Sequence, residues 1–297
     1  MSSSSKIHKP NFFLLGAAKS GTTFLYQCLQ QHPEIYMPRI KEPSFFCNTF
    51  QVIKNPVEYI SLFQNVKHEK AIGDASHVYL TCPDANFAIH AFFPDAKFIL
   101  ILRNPTDRAY SLYHHMVYKG FEWINSFEAA LIMEQKRIRD EKFKAYCPHY
   151  FYNYLYFHSG IYSHQIEQYL QYFHCSQFLF ITFDEFRKDK FATLKRIYHF
   201  LNVDQTLVPE QAKVFNKGYS VRSARLQFLL MQNLVPILNK IRFPKRSLLT
   251  QYLKKINRCS IPPMNSDTRK HLQSKYNEDI KKVELLIGLD LKDWILE

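Results

Sequence analysis

A cluster of hydrogen-bond donors near the amino terminus is the feature of this sequence best suited to chemistry. Its members are adjacent in the chain: Lys19, Ser20, Gly21, Thr22 and Thr23. The apolar run 12–15 before them predicts a buried strand, and apolar residues at helical spacing over 24–29 predict a helix after them. Backbone N–H groups at the start of such a helix, together with the Lys19 ammonium, are suited to hold a phosphate. The stretch therefore predicts a phosphate-binding loop between a strand and a helix.

The loop resembles the Walker A motif of nucleotide-hydrolysing proteins but departs from it in two ways. Gly16 and Gly21 have the four intervening residues that the motif requires, yet a pair of threonines follows where the motif has a lysine and a hydroxyl residue. The lysine of this chain, Lys19, lies before the second glycine. The next strongly apolar run ends in Arg103 rather than in an aspartate that would bind magnesium. We therefore expect a phosphate ligand that is held without a metal ion.

A second group of donors follows the strongest strand signal in the chain, the apolar run 97–102. Arg103 comes directly after that run, and Ser111 lies in the first turns of the helix expected next. Ligands of open parallel sheets bind beyond the carboxyl ends of the strands. Arg103 and Ser111 are therefore expected to hold a second anion.

The composition is that of a globular chain with a strong positive charge. Of the 297 residues, 46% are hydrophobic, and the formal net charge of +13 predicts attraction to an anionic ligand or surface. Six cysteines are scattered without metal-ligand spacing, which is typical of reduced thiols in a cytoplasmic protein. Residues 1–9 are polar and predict a disordered tail, and residues 10–297 are expected to form a single domain. No run approaches the 18 apolar residues of a membrane span.

Strand and helix signals alternate along the chain. Apolar runs predict buried strands at 12–15, 97–102 and 177–182, and the stretch 71–77 is expected to be a short strand that runs into a polar turn. This alternation predicts an α/β protein with a central parallel sheet flanked by helices, and the phosphate loop after the first strand makes the fold a P-loop-like, three-layer one. The aromatic stretch 146–157 is expected either to line a substrate cleft or to pack in the core.

These segments, taken in order, resemble the sulfotransferase family that uses 3′-phosphoadenosine 5′-phosphosulfate (PAPS), in its bacterial and heparan-type branches. The loop 19–23 is similar to the family's 5′-phosphosulfate loop. The pattern from Arg103 through Arg108 to Ser111 and Tyr113 is similar to its 3′-phosphate motif. The resemblance implies that PAPS is the sulfonyl donor and that adenosine 3′,5′-bisphosphate (PAP) is the product, with no metal ion.

The resemblance continues in the later part of the chain. Lys217 and Gly218 resemble a basic loop of the same branches, which implies two further residues that bind the co-substrate. By resemblance, Lys19 stabilises the negative charge that builds on the leaving phosphate oxygen. A base must then take the proton of the acceptor group.

Two residues compete for the role of that base. Glu42, in the segment KEPSFF, matches the glutamate base of heparan-type enzymes, and a carboxylate beside apolar rings is expected to have a raised pKa. His77 falls where the cytosolic sulfotransferases have a catalytic histidine, although Ala75 stands where they have lysine. The segment match favours Glu42, and joint action of the two residues remains open.

The acceptor is expected to be a hydroxyl of a small-molecule natural product or a sugar, with an amine as the other option. A glycan acceptor of the heparan type is an alternative within the family. Outside it, the alternatives are a P-loop nucleotide kinase or NTPase and a nucleic-acid binder that uses the +13 charge. The loop without a Walker lysine disfavours the kinase, and an anion site between strand and helix is not needed for nucleic-acid binding. We therefore expect neither a nucleic-acid partner nor a membrane span.

Overall fold

The computed structural model describes residues 8–209, 218–240, 252–253 and 255–295. The chain divides into two compact units, each built from separate stretches of sequence. The first unit consists of Met1–Asn104, Tyr162–Asn216 and Lys281–Leu291, and the second of Pro105–Ile161, Lys217–Ile280 and Lys292–Glu297. The predicted tail 1–9 falls almost wholly outside the described residues, and the single domain over 10–297 stays a prediction.

A five-stranded parallel sheet forms the centre of the first unit. Its strands are β1 (Phe12–Gly16), β2 (Ile35–Tyr36), β3 (Ala71–Ala75), β4 (Lys97–Leu102) and β5 (Phe178–Thr182). Side by side they run β2-β3-β1-β4-β5, and every neighbouring pair is parallel. All residues of β1 and β3 are buried, and β1 is accordingly a continuous apolar run rather than an alternating one. The predicted α/β fold with a central parallel sheet is confirmed.

Helices of the first unit cover this sheet. In a numbering that follows the chain through both units, they are α1 (Thr22–Leu29), α2 (Pro56–Ser61), α3 (Val78–Thr81), α4 (Ala85–Phe92), α8 (Tyr162–Leu170), α9 (Phe183–Lys188) and α10 (Lys190–Leu201). Apolar side chains of α1 and α10, such as Phe24 and Ile197, belong to one core cluster with Phe12 and Ile99 of the sheet. Phe13 instead belongs to a group of aromatic rings and packs against Phe98 at 5.9 Å between ring centroids.

The second unit is mainly helical. It contains α5 (Pro105–Lys119), α6 (Phe127–Arg139), α7 (Glu141–Tyr146), α11 (Ala224–Leu229), α12 (Val235–Lys240), most of α13 (Ser266–Ile287) and the antiparallel pair β6 (Ser220–Val221) and β7 (Arg258–Cys259). Tyr150, Tyr154 and Tyr156 are at most 1% exposed. The aromatic stretch 146–157 thus packs in the core at these three positions. No helix within the described ranges is both long and apolar enough to cross a membrane.

Candidate active site at the strand ends

The predicted phosphate loop connects β1 to α1. Gly21 caps α1 with a left-handed backbone (φ 86°), and no side chain caps this helix end. Within the described residues, the N–H groups of Gly21, Thr22 and Thr23 have no hydrogen-bond acceptor. The Ser20 hydroxyl is fully buried and also lacks a partner in the described part of the chain. Because buried polar groups are normally paired, this collection of unpaired donors suits an anionic ligand.

Arg103 lies at the carboxyl end of β4, the neighbour of β1 in the sheet. Its Nη1 donates a hydrogen bond to the carbonyl oxygen of Lys19 at 3.1 Å, and its guanidinium lies 5.0 Å from the Phe183 ring centroid. The Arg103 guanidinium and the backbone of Lys19 therefore meet at one end of the sheet. The observed contact also gives Arg103 a second task, because it supports the backbone of the phosphate loop.

Glu42 and His77, the two candidates for the base, are hydrogen-bonded to each other. One carboxylate oxygen of Glu42, Oε2, accepts the backbone N–H of His77 at 2.8 Å and faces its ring Nδ1 at 2.7 Å. The other oxygen, Oε1, forms an ion pair with Lys41. About a quarter of each side chain in the Glu42–His77 pair is exposed. The two candidates for the base therefore form one hydrogen-bonded pair.

The charge state of Glu42 differs from the one expected from its aromatic neighbours. Burial by itself raises the pKa of the Glu42 carboxyl, but His77 and Lys41 outweigh that effect and hold the pKa well below its ordinary value. The expectation of a raised pKa is therefore wrong. A carboxylate that holds its proton so weakly is a poor proton acceptor but a strong hydrogen-bond acceptor.

Left-handed backbone conformations are concentrated in the loops of this site. Four non-glycine residues in the described ranges have positive φ, and three of them are Lys19 (70°), Glu42 (66°) and Ser44 (53°). The fourth, Asn202, is a helix C-cap, where this conformation is usual. Each such residue costs on the order of 1–2 kcal/mol, and such strain clusters at functional sites.

The remaining predicted site residues belong to the second unit. Ser111 lies half-buried on α5, and Gly218 is exposed beside β6. Lys217 lies outside the described residues. Arg108 of the 3′-phosphate motif is buried and donates to the carbonyl oxygen of Tyr156 at 2.7 Å, which is a structural role within this unit. The co-substrate contacts assigned to Ser111, Lys217 and Gly218 stay predictions.

A metal site was not expected from the sequence. The described part of the chain contains no group of three or more histidine, cysteine, aspartate or glutamate side chains that could hold a metal ion. Binding of the co-substrate without a metal stays a prediction.

A parallel sheet that presents an anion-binding loop and a carboxylate–histidine pair at its strand ends defines a group-transfer enzyme with a phosphorylated substrate. The sulfotransferase domain family matches residues 9–281, and the chain belongs to that family. A crystal structure of a sulfotransferase from Alicyclobacillus acidocaldarius has a TM-score of 0.74 and 30% identity and covers 97% of this chain and 99% of that one. The P-loop-like fold and the sulfotransferase class predicted from the sequence are confirmed.

Two curated relatives are heparan sulfate enzymes. The bifunctional heparan sulfate N-deacetylase/N-sulfotransferase 4 of Mus musculus is 27% identical over a match that covers 97% of this chain and 31% of that protein. The heparan sulfate glucosamine 3-O-sulfotransferase 6 of Homo sapiens is 26% identical over 212 residues, which cover 71% of this chain and 57% of that protein. The chain therefore spans about a third and about half of the length of these two relatives. The resemblance to bacterial and heparan-type sulfotransferases is confirmed.

Proposed function

We propose that this chain transfers a sulfonyl group from PAPS to a hydroxyl of a small-molecule or carbohydrate acceptor, and that Glu42 and His77 act together as its base. The observation that carries the proposal is the contact of 2.7 Å between Glu42 Oε2 and His77 Nδ1, in the same unit as a loop of unpaired donors. Family membership supports the reaction class.

The loop residues fit the phosphosulfate end of PAPS. The buried Ser20 hydroxyl and the N–H groups at the start of α1 need acceptors, and phosphate oxygens are strong acceptors. PAPS supplies the sulfonyl group and leaves as PAP. Lys19 stabilises the negative charge that develops on the leaving phosphate oxygen, because an oriented cation requires little reorganisation during the reaction.

His77 accepts the proton of the acceptor hydroxyl in this proposal. Since Glu42 is an acceptor only, the ring Nδ1 of His77 carries the hydrogen of their shared bond. The lone pair is then on Nε2, which has no hydrogen-bond partner within the described ranges. Glu42 fixes this tautomer and stabilises the imidazolium after proton transfer, as carboxylates do beside catalytic histidines. Glu42 alone is the less suited base because its own pKa is lowered.

Arg103 is proposed to bind the 3′-phosphate of PAPS. It is the cation at the end of β4, and its bond to the Lys19 carbonyl holds the guanidinium at the phosphate loop. By resemblance, Ser111, Lys217 and Gly218 are predicted to bind the same co-substrate.

Two features bear on the acceptor. The net charge of +13 suits an anionic glycan, and the names of both curated relatives include heparan sulfate, which supports a glycan as the second candidate. An amine acceptor belongs to the same proposal, since the base removes a proton from nitrogen as it does from oxygen. A cytoplasmic location is proposed from the dispersed cysteines alone.

The test is product mass after incubation with PAPS in the presence of EDTA. The acceptor panel contains a phenol, N-acetylglucosamine and a desulfated heparan oligosaccharide, and a product heavier by one sulfonyl group is expected for one of them. Lys19→Ala protein serves as the control for spontaneous transfer. Turnover that requires ATP and Mg²⁺ and adds a phosphoryl group would instead identify a nucleotide-dependent kinase.

A further inference from the structure

Asp74 is a buried carboxylate three residues before His77 in the chain. It lies in β3 and is fully buried. Three hydroxyl groups donate to it: Tyr59 and Tyr79 to Oδ2, both at 2.9 Å, and Ser76 to Oδ1 at 2.8 Å. The proposed chemistry does not use Asp74, yet burying a carboxylate is costly. Within the described ranges, the hydrogen-bond partners of this buried charge are neutral hydroxyls, and its presence therefore calls for an explanation.

The Ser76 hydroxyl connects Asp74 to the loop that carries Glu42. While it donates to Asp74, its oxygen accepts the backbone N–H of Ser44 at 3.1 Å. The backbone N–H of Glu42 donates to the carbonyl oxygen of Ala75 at 3.0 Å. The loop 42–44 is thus attached to segment 74–77 at both of its ends, and His77 belongs to that same segment.

This attachment holds a strained loop. Glu42 and Ser44 both have left-handed backbones, and residues with a Cβ adopt that conformation only where the surroundings impose it. The Ser44 N–H bond to Ser76 is one of the contacts that impose it. If the Ser76 hydroxyl turned away, the loop would lose one of the contacts that place the Glu42 carboxylate beside His77 Nδ1.

We propose that Asp74 is a positioning residue for the Glu42–His77 pair, which orients the Ser76 hydroxyl and thereby fixes the loop 42–44. Asp74 itself touches neither substrate nor the transferred group. This inference rests on the proposed function, because it assigns Asp74 a task in the same proton transfer.

The charge of Asp74 matters because it makes both carboxylate oxygens acceptors. An asparagine has the same shape, but its amide nitrogen would face at least one hydroxyl that now donates. Two hydroxyls donate to Oδ2 and one to Oδ1, so the amide nitrogen should take the place of Oδ1, where it disturbs fewer donors. It then faces Ser76, and the Ser76 hydroxyl must rotate. Misplacement of a catalytic group by about 1 Å costs up to about 100-fold in rate.

The experiment compares Asp74→Asn and Ser76→Ala with the wild-type chain in three measurements: kcat, the Kd of PAP, and the ring ¹⁵N spectrum of His77. Both variants are expected to lower kcat about 10- to 100-fold, with the Kd of PAP nearly unchanged. The wild-type spectrum should show Nδ1–H and an unprotonated Nε2, and both variants should show a mixture of tautomers. A double variant no worse than either single variant is expected, because both changes interrupt the same connection.

Tyr156→Phe is the matched control for general loss of stability. Tyr156 donates to the buried carboxylate of Glu122 at 2.8 Å in the second unit, a bond similar to those made to Asp74. This control should lower the melting temperature and leave kcat and the His77 spectrum unchanged. Ser76→Ala keeps the inference testable if Asp74→Asn does not fold.

Two outcomes separate the inference from the function on which it depends. Wild-type protein without the Nδ1–H signature would overturn the proposed role of the pair. A wild-type signature that persists in Ser76→Ala and Asp74→Asn, with kcat unchanged, would overturn only the positioning role of Asp74.

Discussion

Two glutamate–histidine pairs in this chain have the same local geometry, one in each unit. In the first unit, Glu42 Oε2 lies 2.8 Å from the backbone nitrogen of His77 and 2.7 Å from its Nδ1. In the second unit, Glu134 Oε1 lies 2.8 Å from the backbone nitrogen of His158 and 2.5 Å from its Nδ1. In each pair, one carboxylate oxygen thus contacts both the backbone nitrogen and the ring Nδ1 of the histidine.

The surroundings of the two pairs differ. Glu134 is in the middle of α6, its side chain is 1% exposed, and its second oxygen accepts the N–H of Phe157 at 2.9 Å. These hydrogen bonds attach the segment 157–158 to α6. Glu42 is instead in a strained loop, and His77 follows β3, the neighbour of the strand that enters the phosphate loop. The comparison shows that the same hydrogen-bond geometry occurs in two settings. We propose chemistry only for the pair at the carboxyl edge of the parallel sheet, where ligands of such sheets bind.

Separate replacement of His77 and of His158 should show the largest difference between the two pairs. His77→Asn should lower kcat by about 10²–10⁴-fold, because it removes the nitrogen that accepts the proton. His158→Asn should leave kcat nearly unchanged while it lowers the melting temperature. Steady-state kinetics on both variants provide the measurement, and equal losses of kcat would contradict the distinction between the pairs.

Lys19 provides the second test of the difference between the pairs. It lies in the predicted phosphate loop, which belongs to the same unit as Glu42 and His77. Lys19→Ala should lower kcat by about 10²–10³-fold and change the Kd of PAPS far less, because charge on the leaving oxygen appears only in the transition state. Single-turnover kinetics and calorimetry separate the two effects. A variant that loses binding and keeps kcat would show that Lys19 only anchors the co-substrate.

The buried carboxylate of Asp74 should make the stability of the chain depend on pH. Its hydrogen-bond partners in the described part of the chain are hydroxyl groups, whereas Glu122 in the second unit is paired with Arg137 at 2.8 Å. Burial raises the pKa of Asp74 to about 6. A raised pKa means that the folded state binds this proton more tightly, so the stabilising contribution is present below pH 4 and lost as the pH rises through 6. A rise of about two units corresponds to about 3 kcal/mol.

Chemical denaturation of wild-type and Asp74→Asn protein at several pH values measures this contribution. The free energy of unfolding of the wild-type chain, relative to the variant, should fall between pH 4 and pH 7. A constant difference would mean that Asp74 does not titrate in this range.

Arg103 offers a smaller effect that is specific to the co-substrate. A charge-assisted hydrogen bond contributes about 1.5–3 kcal/mol, so Arg103→Ala should weaken PAPS binding about tenfold to a hundredfold. Adenosine 5′-phosphosulfate, which lacks the 3′-phosphate, is the matched ligand and should respond much less. If both ligands lose affinity equally, Arg103 acts through the Lys19 carbonyl rather than through the 3′-phosphate.

Glu134→Gln should give the smallest change, and it should affect stability alone. The new amide nitrogen faces backbone N–H donors, and an unsatisfied buried group costs about 1–3 kcal/mol. Urea unfolding should show this loss while kcat stays unchanged. Glu42→Gln is the counterpart in the first unit, and it should lower kcat with a smaller change in stability because Glu42 is more exposed.

The sequence contains one signal that Asp74 is an unusual residue. An aspartate within the apolar strand AIGDA is an unusual occupant, since buried strands of parallel sheets are otherwise apolar. That single charge was the available signal. Its partners Tyr59 and Tyr79 could not be identified in advance, because the sequence has 19 tyrosines and the contacts of these two with Asp74 arise from the folding of the chain.

The sequence by itself determined the α/β fold, the loop between β1 and α1, and the family. Each of these can be recognised from short stretches of adjacent residues. A strand, a small-residue loop and a helix within 12–29 are recognisable from apolar spacing and from Gly21 alone. Only the tertiary structure decided that Glu42 and His77, 35 residues apart, form one pair. It also reversed the expected pKa shift of Glu42, because such interactions depend on distance in space and the contacts with His77 and Lys41 outweigh burial.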